Sequence, residues 1–479
     1  MNQALENPAK AAQNYQTQLF EILEEYFQRA TGCKPEDFAK FSTFASVVRA
    51  KRSMIGARAE LSLPWAYDEL AKFYSENCAA GFSMAKELGG LKTVLGGSTR
   101  FQESQFKTVT SSLLYSDTVL IPDPVMPWVM SQRIEERFSN VLFMQSVFSI
   151  LHLRSLTKDA FKYPPVFVFP SMEKLLEEND PETERLMFQF SNEIFSHFVG
   201  QEFESIEELC EFAALNEEFF LNKIEESHLF VAPGASAELP LNESLPLYIE
   251  HISTWRTPEW IAEFQNFPVT SQVIYVIIER LGAQFHLLEN AESLDSHPLL
   301  SVEQQAHYYK IVSQTNSARL AHLDLLNPKT ESLVQGMSTK RMRWLSNVPI
   351  DAVVELRKNN ENVTFRSRLE TIFSRIHETE IGDVDKVVRE VLHEIDSALA
   401  DHERELKEIQ SKYQAKHTLT AVASWAELGA TILPSIAPFL GTAAPLALAA
   451  KYGWDKIEEL ATKRAKSKSM MGIISSLRN

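Results

Sequence analysis

Three carboxylates beside short apolar runs are the residues best placed for chemistry. Asp117 and Asp123 bracket the run TVLIP, and Glu173 follows the run VFVFP. Carboxylates at strand ends can hold Mg²⁺ or act as a general acid and base, so the three define a candidate metal-dependent site for a phosphorylated substrate. Because Asp before Pro is also ordinary turn chemistry, we favour the turn interpretation and predict no catalytic residue, cofactor or metal.

Basic residues form two groups in an otherwise acidic chain. One group consists of Arg49, Lys51, Arg52 and Arg58. The other group begins with Lys340, Arg341 and Arg343 beside Trp344 and continues with Arg357, Lys358, Arg366 and Arg368. Arginine near an aromatic ring can stack on a base or clamp a phosphate, so these residues are candidate anion-binding positions. Salt bridges to the surplus carboxylates are the alternative, which we favour.

A glycine-rich stretch, GGLKTVLGGSTR at 89–100, invites comparison with a phosphate-binding loop. It lacks the GxxxxGK[ST] spacing, and no predicted strand precedes it. We therefore interpret it as a flexible turn between helices and expect no ATP binding. The absence of a GxSxG elbow also leaves a nucleophilic hydrolase without specific support.

Helix signals recur along most of the chain. Apolar residues at helical spacing begin at Tyr15, and the tripeptide TPE at 257–259 supplies a capping side chain, a first-turn proline and an acid. Ser301 opens a capping box of the S-x-x-Q type. Pro127 begins an apolar-periodic stretch to Leu151, which predicts one long helix.

Three short apolar runs break this helical pattern, at 118–122, 166–170 and 229–233. Each run is rich in β-branched and aromatic residues and contains a closing proline, as a short buried strand does. The connections between the runs are long enough for parallel crossovers. The sequence therefore predicts a small sheet flanked by helices, with extended loops laid on helices as the alternative.

Residues 383–417 predict a coiled-coil-like helix. Its apolar positions recur mostly at spacings of three and four and form one narrow seam, which consists of Val384, Val388, Val391, Ile395, Ala398, His402, Leu406, Ile409 and Tyr413. We favour packing of this seam against the chain's own body over an intermolecular coiled coil, because the run is short and His402 weakens it.

Residues 418–450 form an apolar segment with a single charge, Glu427. Its prolines disfavour a straight membrane span, and we predict a helical hairpin that inserts shallowly in a membrane, is buried in protein, or lies in an oligomer interface. The basic tail that follows would attract anionic lipid. The candidate membrane-contacting residues are Trp425, Leu428, Ile432, Leu433, Ile436, Phe439, Leu440, Leu446, Leu448, Lys463, Arg464, Lys466 and Lys468.

The overall composition limits the compartment and the partners. Acidic residues (64) outnumber basic ones (47), which gives a net charge of −17, and general nucleic-acid binding needs the opposite sign. The widely spaced cysteines predict no disulfide framework or local zinc site, and the N-terminus lacks a signal-like apolar core. We expect a cytoplasmic protein that is peripheral on the inner face of the membrane if its C-terminus docks there.

The fold class predicted from these patterns is mainly α. A multi-helical body would carry a small three-stranded β element, followed by a coiled-coil-like helix and a C-terminal apolar helical hairpin. The predicted regions are an N-terminal helical region (1–105), helices with the β element (106–250), a second helical region (251–382), the coiled-coil-like helix (383–417), and the hairpin with its basic tail (418–479).

The order of parts in residues 383–479 resembles that of bacterial membrane-disrupting effectors of toxin and phage-defence systems. This resemblance implies a non-enzymatic sensor and effector whose hairpin docks on or perturbs a membrane. Its partner would be an anionic membrane surface or a protein, including a second copy of the chain or a protein encoded in the same operon. The alternatives are a metal-dependent enzyme at the β element and a helical scaffold with a buried structural hairpin.

Overall fold

A computed structural model gives the fold. It describes residues 8–35, 52–96, 103–130, 139–157, 161–171, 173, 181–253, 256–322, 344–346, 350–361, 363–378, 384–417 and 426–428. Within these ranges the chain is mainly helical with a small parallel sheet, which confirms the predicted fold class.

The helices of the described residues are α1 (Pro8–Thr31), α2 (Arg52–Glu87), α3 (Glu103–Ser112), α4 (Met126–Met130), α5 (Ser139–His152), α6 (Pro181–Val199), α7 (Ile206–Leu215), α8 (Glu217–Glu226), α9 (Leu241–Ile252), α10 (Pro258–Asn266), α11 (Val269–Ser293), α12 (Glu303–His322), α13 (Ile350–Lys358), α14 (Val363–Glu378) and α15 (Val384–His417). The strands are β1 (Lys92–Leu95), β2 (Thr118–Pro122), β3 (Val166–Phe169), β4 (His297–Leu299), β5 (Trp344–Ser346) and β6 (Ala426–Leu428).

The central sheet contains four parallel strands in the order β3-β2-β1-β4. Val94 of β1 pairs with Leu120 on one side and with Pro298 on the other. Proline is tolerated at this position because β4 is an edge strand, where a missing N–H does not interrupt the ladder. Two predicted strands, β2 and β3, are confirmed, whereas β1 and β4 were not predicted.

The third predicted strand, at 229–233, is wrong. This segment is buried but has no strand partner, because side chains of α12 bond its backbone instead. The Tyr308 hydroxyl donates to the Leu229 carbonyl (3.0 Å) and accepts from the Val231 N–H (3.4 Å). Gln304 Nε2 donates to the Val231 carbonyl (3.0 Å). The segment is therefore an extended loop laid on a helix.

Helix α1 covers the free edge of β3. Gln16 Nε2 donates to the Val168 carbonyl (2.9 Å), and Gln16 Oε1 accepts from the Val168 N–H (3.2 Å). The side-chain amide thus takes the place of a neighbouring strand at this residue. It satisfies buried backbone groups that would otherwise be open to pairing with another chain.

The seam of α15 packs inside the chain, as predicted. Its residues Val391, Ile395, Ala398, His402, Leu406, Ile409 and Tyr413 are buried. Ion pairs from Arg368 to Asp401 (2.9 Å) and from Arg375 to Glu390 (3.0 Å) show that α14 and α15 run antiparallel.

The predicted helix caps are confirmed at one position and corrected at another. Thr257 Oγ1 accepts from the Trp260 N–H (3.3 Å), as predicted for this helix start. At Ser301, both the backbone N–H and the hydroxyl donate to Gln305 Oε1 (2.7 and 2.9 Å). The reciprocal contact comes from Gln305 because Gln304 points to the 229–233 loop. The single long helix predicted from Pro127 falls partly on residues 131–138, outside the described ranges.

The predicted C-terminal hairpin lies outside the described residues except for Ala426–Leu428. These residues form β6, which pairs antiparallel with β5 and places Glu427 opposite Leu345. The helical prediction is therefore wrong at Leu428, because the backbone there bonds to a strand. Within the described ranges, no helix combines the length and the apolar character needed to cross a bilayer.

Candidate functional site

The carboxyl edge of the parallel sheet is the first place to look for a site. The chain moves from β1 outward to β2 and β3, and then returns to β4 on the opposite side of β1. The connection that leaves β1 therefore goes to β2 on one side, whereas the connection from β3 arrives at β4 on the other side of β1. In open α/β sheets, ligands bind beyond the carboxyl ends of the strands at such a switch point.

The glycine-rich stretch lies at this switch point. Its central residues are β1, so the prediction of a flexible turn between helices is wrong for Lys92–Leu95. Gly96 follows the strand directly, and a Cβ there would lie 2.5 Å from Gln305 Nε2. Glycine thus lets the end of β1 approach α12 closely. A strand does precede GGSTR, and α3 follows it.

Lys92 does not face this edge. It begins β1 at the opposite, amino end of the sheet, and its buried ammonium donates to the Ala85 carbonyl (3.2 Å) at the end of α2. Burial lowers the pKa of Lys92 to about 8. The side chain therefore satisfies carbonyls at a helix C-terminus rather than facing a ligand.

Asp123 follows β2 at the carboxyl edge and is 1% exposed. Its Oδ2 accepts from the Tyr74 hydroxyl (2.7 Å), and its Oδ1 accepts from the N–H groups of Val125 (2.8 Å) and Met126 (3.4 Å). Burial raises the pKa of Asp123 to about 6, although these hydrogen bonds oppose the shift. The carboxylate fixes the turn after β2 and ties it to α2, so the favoured turn role agrees with its geometry.

Tyr15 of α1 lies close to this pair. Its hydroxyl is buried and makes no hydrogen bond within the described residues. Burial, with the negative charge of Asp123 as a second cause, raises the pKa of Tyr15 well above its usual value. A Cβ at Gly81 would lie 2.8 Å from the Tyr15 ring, so glycine lets α1 and α2 approach each other here.

We expect Tyr74→Phe to lower the free energy of unfolding by about 1–3 kcal/mol near neutral pH, because it removes a donor from a buried carboxylate. Urea unfolding followed by circular dichroism measures the change. Tyr67→Phe is the control, since its half-buried hydroxyl has no hydrogen-bond partner in the described part of the chain. Equal losses in the two variants would contradict the role given to Tyr74.

Asp117 lies at the amino end of β2, away from Asp123. Its Oδ1 accepts from Arg366 Nε (2.9 Å), and its Oδ2 accepts from the Leu91 N–H (2.9 Å). Arg357 donates to the Ser116 carbonyl (3.0 Å) and lies 3.6 Å from Asp117 Oδ1. The salt-bridge interpretation of basic residues is thus realised at Arg357 and Arg366.

The structure does not bring together the three carboxylates of the alternative metal-dependent site. Asp117 and Asp123 occupy opposite ends of β2, and Glu173 accepts from Asn290 Nδ2 (2.6 Å). Among the residues that can be described, no group of three or more His, Cys, Asp or Glu side chains could hold a metal ion. Sequence reasoning missed the Tyr74–Asp123 pair because 49 positions separate its members.

Most of the other candidate positions fall outside the described ranges. This holds for the predicted membrane-contacting residues other than Leu428, and for Arg49, Lys51, Arg341 and Arg343. Arg52 is the first residue of α2. None of the three cysteines forms a disulfide, as their spacing predicts.

Comparisons of the chain with protein-family models, with curated proteins and with solved structures found no match.

Proposed function

We propose that this protein is a sensor and effector. The α/β body receives a signal at the carboxyl edge of its sheet, and the apolar segment 418–450 with its basic tail docks on an anionic membrane. The sequence supports the second part, because a segment with a single charge precedes a tail with seven basic and three acidic residues. Apolar burial and lipid charge would both contribute to such docking.

A series of neighbouring elements carries the proposal. Gly96 follows β1 at the switch point, and the next described helix along the chain is α3. Helix α3 contacts β5, and β5 pairs with β6, which belongs to the apolar segment. A ligand that displaced the start of α3 would therefore act on the strand that holds this segment to the body.

Vesicle flotation tests the membrane part. We expect the full-length chain to bind anionic vesicles more than neutral ones. Salt should weaken the electrostatic contribution to this binding and leave the apolar contribution in place. Replacing Lys463, Arg464, Lys466 and Lys468 by Gln should remove the preference for anionic lipid. Leu440→Asp should remove the salt-resistant part, because a carboxylate in the apolar region costs a few kcal/mol.

The buried-hairpin alternative predicts a different outcome. Leu440→Asp would then lower the melting temperature of the whole protein, and neither variant would alter vesicle binding because there would be none. A full-length chain that stays in solution with anionic vesicles at low salt, even with an activating partner added, would contradict the membrane proposal.

A further inference from the structure

The acidic charge of this protein is concentrated in one part of the chain. Residues 181–300 contain 21 acidic and 4 basic side chains, a net charge of −17 that equals the net charge of the whole chain. The other residues are balanced as a whole. These helices also share a hydrophobic core of their own, which includes Phe195, Leu209 and Phe220.

An apolar patch interrupts this acidic surface where α7 meets α8. Leu215 is 84% exposed and Phe219 is 47% exposed. The half-buried Phe212 ring lies 6.2 Å from the Phe219 ring, measured between centroids. Phe212, Leu215 and Phe219 together form what we call the α7–α8 patch. Exposed apolar side chains grouped in this way mark interaction sites more often than isolated ones do.

Carboxylates lie next to the members of the α7–α8 patch along the chain. Glu211, Glu217 and Glu218 are exposed and make no hydrogen bond or ion pair within the described part of the chain. The basic side chain beside Phe219 is Lys223, which pairs with Glu226 (2.7 Å). The patch therefore fits an occupant that is basic and has apolar side chains to bury.

The tail at 451–479 has this chemistry. It carries seven basic and three acidic residues, and its aromatic and aliphatic residues include Trp454, Ile457 and Leu460. The described chain stops at Leu428, and the 22 residues from 429 to 450 precede the tail. A connection of that length can span up to roughly 70 Å when extended, so it can reach across the body.

We propose that the basic tail of each molecule docks on its own α7–α8 patch. The tail's lysines face the neighbouring glutamates, and its apolar residues cover Leu215 and Phe219. The regulatory meaning of this contact rests on the proposed function, because the same lysines cannot contact lipid and the patch at once. Docking then competes with membrane binding and weakens it.

Carbodiimide coupling of the full-length protein at low salt, without vesicles, tests the contact. The reagent activates a carboxylate, and a lysine amine in contact displaces the activating group to form an amide. We expect cross-links that join Lys463, Lys466 or Lys468 to Glu211, Glu217 or Glu218, identified by mass spectrometry of peptides. High salt should diminish them, because it screens exposed charges.

Three variants separate the patch from a general charge effect. The double variant Leu215→Ser with Phe219→Ser should lose these cross-links and keep its circular dichroism spectrum. Reversal of Asp68, Glu69 and Glu76 to Lys on the exposed surface of α2 is the control, and it should leave the cross-links in place. Reversal of Glu211, Glu217 and Glu218 to Lys should increase binding to anionic vesicles.

Each part can fail by itself. Absence of these cross-links, or their persistence in the patch variant, would overturn the docking proposal whatever the vesicles show. Cross-links that appear only in a dimer-sized product would also overturn it and assign the contact to a second copy. If wild type forms the cross-links but the variant Leu215→Ser with Phe219→Ser does not float with anionic vesicles, the docked tail stands and the membrane proposal is refuted.

Discussion

Asp117→Asn should lower the free energy of unfolding by about 3–5 kcal/mol, because it leaves buried guanidinium groups without their carboxylate. The Arg357 and Arg366 side chains are 7% and 5% exposed, and that of Asp117 is 12% exposed. Burial lowers the pKa of Arg357 to about 10, so this side chain remains charged at neutral pH. Removal of Asp117 therefore leaves positive charge in a poorly solvated place.

An exposed ion pair between α14 and α15 provides the control. Asp401 lies 2.9 Å from Arg368, and its side chain is 49% exposed. Asp401→Asn should cost less than about 1 kcal/mol, since solvent screens such pairs. Urea unfolding of both variants measures the difference. Losses of similar size would show that the Asp117 cluster does not anchor α13 and α14 to the sheet.

His402→Leu should reduce the loss of stability on acidification. His402 is fully buried, and its ring stacks on Phe365 with centroids 4.0 Å apart. Burial lowers the pKa of His402 to about 3. An unfolded histidine titrates near 6.5, so the unfolded state alone takes up this proton as the pH falls from about 6.5 toward 3. The wild-type chain loses stability across that window.

The expected size follows from the two pKa values. Protonation of His402 in the unfolded state lowers the free energy of unfolding by about 1.4 kcal/mol for each pH unit below about 6.5. The loss amounts to roughly 3 kcal/mol at about pH 4. On acidification from neutral pH to about pH 4, wild type should therefore lose this much more unfolding free energy than His402→Leu does. His393→Leu, an exposed position on the same helix, should follow wild type. A pH-independent difference would refute the prediction.

Local sequence patterns predicted some elements correctly and others wrongly. The seam of α15 was predicted correctly from Val391 to Tyr413, because helical periodicity depends on the spacing of nearby residues. The runs at 118–122 and 229–233 look alike in sequence, but only the first has strands beside it, while Tyr308 bonds the second. The strand β1 is short and flanked by glycines, so it resembled a turn until β2 and β4 paired with it.

The candidate sites depended on contacts that no local pattern records. Asp117 and Asp123 are close in sequence, yet they lie at opposite ends of β2, and each has a side-chain partner on a distant helix. Arg366 lies 249 positions from Asp117, and Tyr74 lies 49 positions from Asp123. The sequence alone determined the helical character, the α15 seam, two of the parallel strands and the concentration of acidic charge in residues 181–300, because these properties depend on residue type and short-range spacing. Only the tertiary structure decided the switch point between β1 and β4 and the partner of each buried charge, because both depend on which distant segments pack together.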